Sequence, residues 1–165
     1  MGLSEITTGG YPVHYDDDEN GSEMILIAEG HDTLLGSLKD LVLTELPHAS
    51  VLTVRSGKEA VKLSLARRLS AAILDCDLPD LSGVETTRQI HTERPDTSVV
   101  LIHEEESSEY RASAIEAGAS GYVVKHRIAT ELVPVLKKLL PAKRQKNRKK
   151  GGAIVCGSNV GGAGQ

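Results

Sequence analysis

The run Ala71-Ala72-Ile73-Leu74-Asp75-Cys76-Asp77-Leu78-Pro79 joins an unbroken apolar stretch to two aspartates, set two residues apart, and to a turn that closes at Gly83. Such a stretch reads as a buried strand whose last residue delivers a carboxylate to the sheet edge. In an open α/β sheet, ligands gather outside the carboxyl ends of the strands, so Asp75 is placed for chemistry. A strand-end Asp also serves as a turn or helix cap, and that plainer reading stands beside the first. Glu29, His31 and His103 are further side chains of ligating type, and with Asp75 they form a candidate Zn²⁺ set. Cys76 reads as a small buried apolar residue with no redox role.

The elements that must carry these side chains alternate along the chain. Residues 24–28 read as a buried strand, and Leu34, Leu35, Leu38, Leu41 and Val42 recur at helical spacing behind an Asp32 cap. A second strand at 50–54 leads through Ser56-Gly57-Lys58-Glu59, a helix-start pattern, into a helix reaching about Arg68. The third strand ends at Asp75. A helix over 83–94 carries Val84, Thr87 and Ile90 and stops at Pro95. Residues 98–102 form the fourth strand, 108–117 a helix ended by Gly118, and 121–124 a short fifth strand. Leu132, Val135, Leu136, Leu139 and Leu140 mark the last helix. Five strands alternating with five helices require parallel pairing and a sheet covered on both faces. The class is α/β, a flavodoxin-like (βα)5 doubly wound sheet with strand order 2-1-3-4-5.

The 165 residues contain no Phe or Trp, so the core must be built from Leu, Ile, Val and Ala. One folded domain at 24–141 is expected between two unlike ends. Residues 1–23 form a polar, Gly-rich extension with the acidic run Asp16-Asp17-Asp18-Glu19. Residues 142–165 form a basic, then Gly-rich tail holding Lys143-Arg144-Gln145-Lys146-Asn147-Arg148-Lys149-Lys150. Both ends read as disordered. Cys76 and Cys156 suit neither a metal site nor a disulfide framework, and no apolar run reaches membrane-spanning length, so a cytoplasmic protein is expected.

Three stretches taken together carry a resemblance. Ile25-Leu26-Ile27-Ala28-Glu29, then Leu74-Asp75 with Pro79 and Gly83, then Ala114-Ile115-Glu116-Ala117-Gly118-Ala119-Ser120-Gly121-Tyr122-Val123-Val124-Lys125 resemble a response-regulator receiver domain. The subgroup is the one that often precedes a LuxR/NarL-type DNA-binding domain, and the likeness covers the whole folded region. It implies a part in two-component signalling rather than an enzyme, beyond Mg²⁺-dependent self-phosphorylation and autodephosphorylation. Asp75 matches the phosphoacceptor, a carboxylate nucleophile that forms an aspartyl phosphate. Lys125 matches the Lys that neutralises charge, and Pro79 and Gly83 match the turn after the acceptor. Glu29, Asp75 and the backbone carbonyl of Asp77 fall where the family binds Mg²⁺, and His103 and Tyr122 fall at the switch positions. A histidine kinase or phosphotransfer protein is the implied donor. Output is expected through a protein partner or homodimer on the face of the fourth helix, fifth strand and fifth helix.

Two positions depart from the family pattern. The family has adjacent acids after the first strand, whereas this chain has Glu29-Gly30, which weakens the expected Mg²⁺ site. At the end of the fourth strand the family has Thr or Ser and this chain has His103, placed to hydrogen-bond Asp75 or to donate to a phosphoryl oxygen. Glu104-Glu105-Glu106 follows, acids that repel an anionic donor or favour a protonated His103. A degenerate receiver, binding partners without phosphorylation, is therefore the second reading. The Asp75-x-Asp77 pair also resembles the double aspartate of haloacid-dehalogenase-type phosphohydrolases, but Leu78-Pro79 follows where that family has Gly-Thr. No helix-turn-helix pattern follows Leu140, so a stand-alone domain without sequence-specific DNA binding is expected. The basic tail offers salt-sensitive attraction to nucleic acid, anionic lipid or an acidic partner, or folds back on the acidic extension.

Overall fold

The computed structural model describes residues 22–140, in which strand and helix alternate five times. The elements are β1 (Met24–Ala28), α1 (Asp32–Glu45), β2 (Ser50–Val54), α2 (Gly57–Ala66) and β3 (Ala71–Asp75). They continue with α3 (Gly83–Glu93), β4 (Ser98–His103), α4 (Ser108–Ala117), β5 (Gly121–Val124), a 3-10 turn (Lys125–Arg127) and α5 (Ile128–Leu139). The acidic run at 16–19, the basic run at 143–150 and Cys156 lie outside the described residues, as do the roles expected of both ends.

Every strand pairs in parallel, in the order β2-β1-β3-β4-β5. The sheet is buried on both faces, which is why its central strands are continuous apolar runs rather than alternating ones. Ile25, Ile27, Ile73, Val100 and Ile102 point to one face and pack against Leu35, Leu38 and Val42 of α1 and Leu132 and Leu136 of α5. Leu26, Ala28, Leu74, Val99 and Leu101 point to the other, where Ala60 of α2, Ile90 of α3 and Ala114 of α4 meet them. Each buried Leu, Ile or Val contributes about 1.5–3 kcal/mol, and small alanines at Ala71 and Ala72 let the helices approach a core that has no large aromatic ring. No described helix is long and apolar enough to cross a membrane.

Local chemistry sets most helix ends. Ser56, Ser82 and Ser107 each accept a hydrogen bond from the backbone N–H three residues on, starting α2, α3 and α4. Gly118 ends α4 at φ 99°, a left-handed conformation, and a Cβ there would run into the His91 ring. Three ends differ from the sequence expectation. Asp32 is the first residue of α1 rather than its cap; the cap position is His31, whose side chain makes no capping bond, and Asp32 instead pairs with Arg55 at 2.7 Å. Helix α2 stops at Ala66, where Arg94 donates to the carbonyls of Ser64 and Leu65 and satisfies its last turn from 29 and 30 residues away. Helix α5 begins already at Ile128 and holds Pro134 in its interior, because burial of Leu132, Val133 and Leu136 outweighs the lost backbone bond.

Candidate functional site

The carboxyl ends of the strands bring four of the singled-out residues to one edge. Glu29 follows β1, Asp75 closes β3, His103 closes β4 and Lys125 follows β5. Pairing of Ala28 with Leu74 and of His103 with Val124 keeps those ends level. Asp75 is only 2 % exposed and Glu29 is fully buried. Glu29 Oε1 accepts from the His31 backbone N–H at 2.9 Å and lies 3.1 Å from His31 Nδ1, which organises the start of α1 in place of Asp32. Glu29 Oε2 and both Asp75 oxygens are buried without a hydrogen-bond partner. A buried carboxylate oxygen lacking a donor destabilises a fold, so three of them mark a place organised to receive a cation or a reacting group.

One cation is already there. Lys125 Nζ stands 3.4 Å from Asp75 Oδ1 and 3.4 Å from Glu104 Oε2. Burial pushes the Asp75 carboxyl above the ordinary carboxylate range and the Glu29 charge adds to this, while Lys125 opposes both without cancelling them. Burial works against the charge of Lys125 as well, yet the Asp75 and Glu29 carboxylates hold its ammonium above the usual lysine range. The arrangement is a buried nucleophilic oxygen pair beside a fixed positive charge, suited to accepting an electrophile that carries negative oxygens.

The loop after β3 is tied down on several sides. The Cys76 N–H donates to the Ile102 carbonyl at 2.8 Å, and the Gly83 N–H donates to the Cys76 carbonyl at 2.9 Å. Asp77 and Pro79 are exposed in this loop. Asp80, which sequence reasoning passed over, accepts from the backbone N–H groups of Gly57, Lys58 and Leu81, pinning the loop to the start of α2. Desolvation works against its charge, but those N–H donors outweigh it and hold the carboxyl below its ordinary value. The only signal in the sequence is that a helix opening on Gly57 has N–H groups to satisfy. Cys76 is 1 % exposed and burial pushes its thiol up to about 12. Iodoacetamide at pH 8 is therefore expected to leave Cys76 unmodified in the folded protein and to modify it in denaturant, as read by peptide mass mapping.

His103 does not take the first of the two roles expected of it. No hydrogen bond joins it to Asp75. Its Nδ1 donates to the Glu105 carbonyl at 2.7 Å and its ring stacks on Tyr110, centroids 4.3 Å apart. An acceptor two residues away and a flat partner are within easier reach than the buried carboxylate. Tyr122, the other residue expected at a switch position, donates its hydroxyl to the same Glu105 carbonyl at 3.3 Å and lies under the Arg111 guanidinium. The Zn²⁺ set fails too: among the described residues no three His, Cys, Asp or Glu side chains converge on a metal position. His31 turns to Glu29 and His103 to Tyr110, so the four proposed ligands do not meet.

Comparison with known proteins decides the family. Residues 25–137 match the response regulator receiver domain family. The chain belongs to that family. The transcriptional activator DevR/DosR of Mycobacterium tuberculosis is 33 % identical to this receiver over 113 residues, which are 68 % of this chain and 52 % of that protein. DegU of Brevibacillus brevis is 29 % identical over 122 residues, 73 % of this chain and 50 % of that protein. The chain thus spans about half the length of the curated relatives it matches. Among solved structures, a LuxR-family two-component response regulator from Aurantimonas superposes with a TM-score of 0.67 at 25 % identity, covering 72 % of this chain and 84 % of that one. The BeF3-activated receiver domain of DrrB gives 0.64 at 26 % identity, covering 72 % and 97 %. Receiver domains of this kind are signalling modules of two-component systems rather than enzymes. In this receiver the buried Asp75 and Glu29 and the partly exposed Lys125 lie at one edge, whereas His103 and Tyr122 are joined to each other through the Glu105 carbonyl.

Proposed function

We propose that this receiver accepts a phosphoryl group on Asp75 from a histidine kinase or phosphotransfer protein in the cytoplasm and delivers its output through protein contacts. The observation that carries the reading is the pair of buried Asp75 oxygens, one of them in an ion pair with the Lys125 ammonium and neither in a well-formed hydrogen bond. In the transfer, one Asp75 oxygen forms a bond to phosphorus as the bond from phosphorus to the donor atom breaks, and the donor leaves with the electron pair. Lys125 balances the added negative charge. Glu29 Oε2, an Asp75 oxygen and the Asp77 backbone carbonyl are hard oxygen donors of the type Mg²⁺ takes, with water completing the shell. Bound there, Mg²⁺ supplies further charge neutralisation at the phosphoryl oxygens. Intact mass after incubation with acetyl phosphate and Mg²⁺ tests the reading: one phosphoryl adduct is expected on the wild type and none on Asp75→Ala, and an absent or Asp75-independent adduct defeats it.

Gly30 provides a second handle. A Cβ there would meet only Pro79 Cδ, at 3.7 Å, so nothing in the structure requires glycine. Gly30→Asp is expected to tighten Mg²⁺ binding roughly tenfold or more by adding an anionic oxygen, as measured by calorimetric titration.

The output surface we favour lies on α4, β5 and α5. On its α4 and β5 side a cleft of about 180 Å³ is lined by Arg111, Ala114, Ile115, Ala119 and Tyr122, and Ile115 is 66 % exposed. A protein partner or a second copy of the receiver would cover it. The clamped Glu105 carbonyl favours a second reading, a degenerate receiver whose β4–α4 loop is held in one arrangement without phosphorylation. That reading requires partner binding that is unchanged by acetyl phosphate and by Asp75→Ala.

A further inference from the structure

The Lys125 ammonium makes two ion pairs, and only one of them belongs to the transfer. Asp75 Oδ1 and Glu104 Oε2 both stand 3.4 Å from Nζ, one from the buried strand end and the other from a side chain that is 66 % exposed. Lys125 itself is 17 % exposed, so the pair with Glu104 is screened less than an ordinary surface pair. A phosphoryl group arriving at Asp75 brings three acceptor oxygens and close to two negative charges, and it needs the same ammonium. Two anions then compete for one cation.

We infer that Glu104 is a tethered, displaceable counter-anion that occupies Lys125 in the resting receiver, slows phosphoryl acceptance at Asp75 and is expelled by it. The inference rests on Asp75 being the acceptor. Glu104 acts through Lys125 and is a positioning residue, not a catalytic one. Its acidic neighbours do not share the role. Glu106 pairs with Arg111 and Arg127. Glu105 contributes its carbonyl, which receives His103 Nδ1 and the Tyr122 hydroxyl. Glu104 is joined by one peptide bond to that doubly held carbonyl. Its expulsion therefore pulls on the point that ties the β4–α4 loop to Tyr122, and through Tyr122 on the Arg111 face.

Initial rates of adduct formation from acetyl phosphate and Mg²⁺, followed by intact mass on the full chain, test this with Glu104→Gln and Glu105→Gln beside the wild type. In the step an Asp75 oxygen bonds phosphorus, the bond from phosphorus to the acetyl oxygen breaks, and acetate departs with the electron pair. Glu104→Gln is expected to react roughly three- to fivefold faster at low salt, a gain that shrinks as salt rises, while Glu105→Gln stays near wild type. Equal rates for Glu104→Gln and wild type would overturn the inference while leaving Asp75 as acceptor. An equal gain in Glu105→Gln would also overturn it, since that is repulsion of the donor by acids in general. No adduct on the wild type defeats both claims, whatever the variants show.

Discussion

Lys125→Met is expected to cost about 2–3 kcal/mol of stability at pH 7, below the full range for breaking a buried pair because Lys125 keeps some contact with water. The loss leaves Asp75 and Glu29 facing each other in a site where three carboxylate oxygens already lack donors. Asp75→Asn should move the other way, stabilising by about 1–2 kcal/mol, because it removes a desolvated charge and the repulsion from Glu29. Combined, Asp75→Asn should restore most of what Lys125→Met loses, a coupling that urea unfolding of the four proteins measures directly. The pH dependence has a definite sign. The folded Asp75 keeps its proton to higher pH than the unfolded chain, whose value is near 3.8. Folding therefore takes up a proton in the window above 3.8, and stability from this group falls as pH rises through the raised folded value. Asp75→Asn should flatten that decline, and Lys125→Met should extend it upward. Lys125, also raised, contributes stability that is complete below its unfolded value near 10.5 and is lost as pH climbs through the folded one.

Gly83→Ala is expected to cost about 3 kcal/mol, the upper end of the range for overpacking. Gly83 opens α3 against the end of β3, and a Cβ there would fall inside contact distance of the Asp75 carbonyl oxygen, 2.8 Å from Cys76 Cα and 2.9 Å from Leu101 Cδ2. Two of those atoms are backbone and cannot swing aside. Relief has to come from shifting the strand end that carries the acceptor or from losing the 2.9 Å bond from the Gly83 N–H to the Cys76 carbonyl. Gly36→Ala is the control. It sits on exposed α1 with nothing within 4 Å of a new Cβ, so it should stabilise by about 0.5–1 kcal/mol through the unfolded chain. Chemical denaturation of both variants checks the contrast.

The fold was legible because its strands are buried on both faces and its helices are not. Continuous apolar runs such as residues 71–74 and 99–102 have no other economical placement, and the periodic leucines of α1 mark its inner face. The Ser56 start of α2 was legible because its bond closes within three residues, whereas the Ser82 and Ser107 caps were not singled out. What escaped the sequence acts across space. Arg94 reaches the end of α2, Asp80 the start of α2, and Tyr110 the His103 ring, each joining elements whose spacing is set only once the sheet is assembled. Side-chain direction is the other blind spot. Residue type placed His103 at the right edge but could not show that its ring would stack outward, and the acidic run 104–106 gave no sign that Glu104 alone would find Lys125.

The central claim, that the buried Asp75 carboxylate beside Lys125 is the atom group that takes phosphorus, has a residue-resolved test. Borohydride reduces an acyl phosphate but leaves a free carboxylate untouched. Treating the receiver with acetyl phosphate and Mg²⁺, reducing it, and mapping peptides by tandem mass spectrometry should place homoserine at position 75 and leave Glu29, Asp77 and Asp80 unchanged. Reduction at any of those three, or a phosphoryl-treated protein in which residue 75 remains aspartate, would contradict the account.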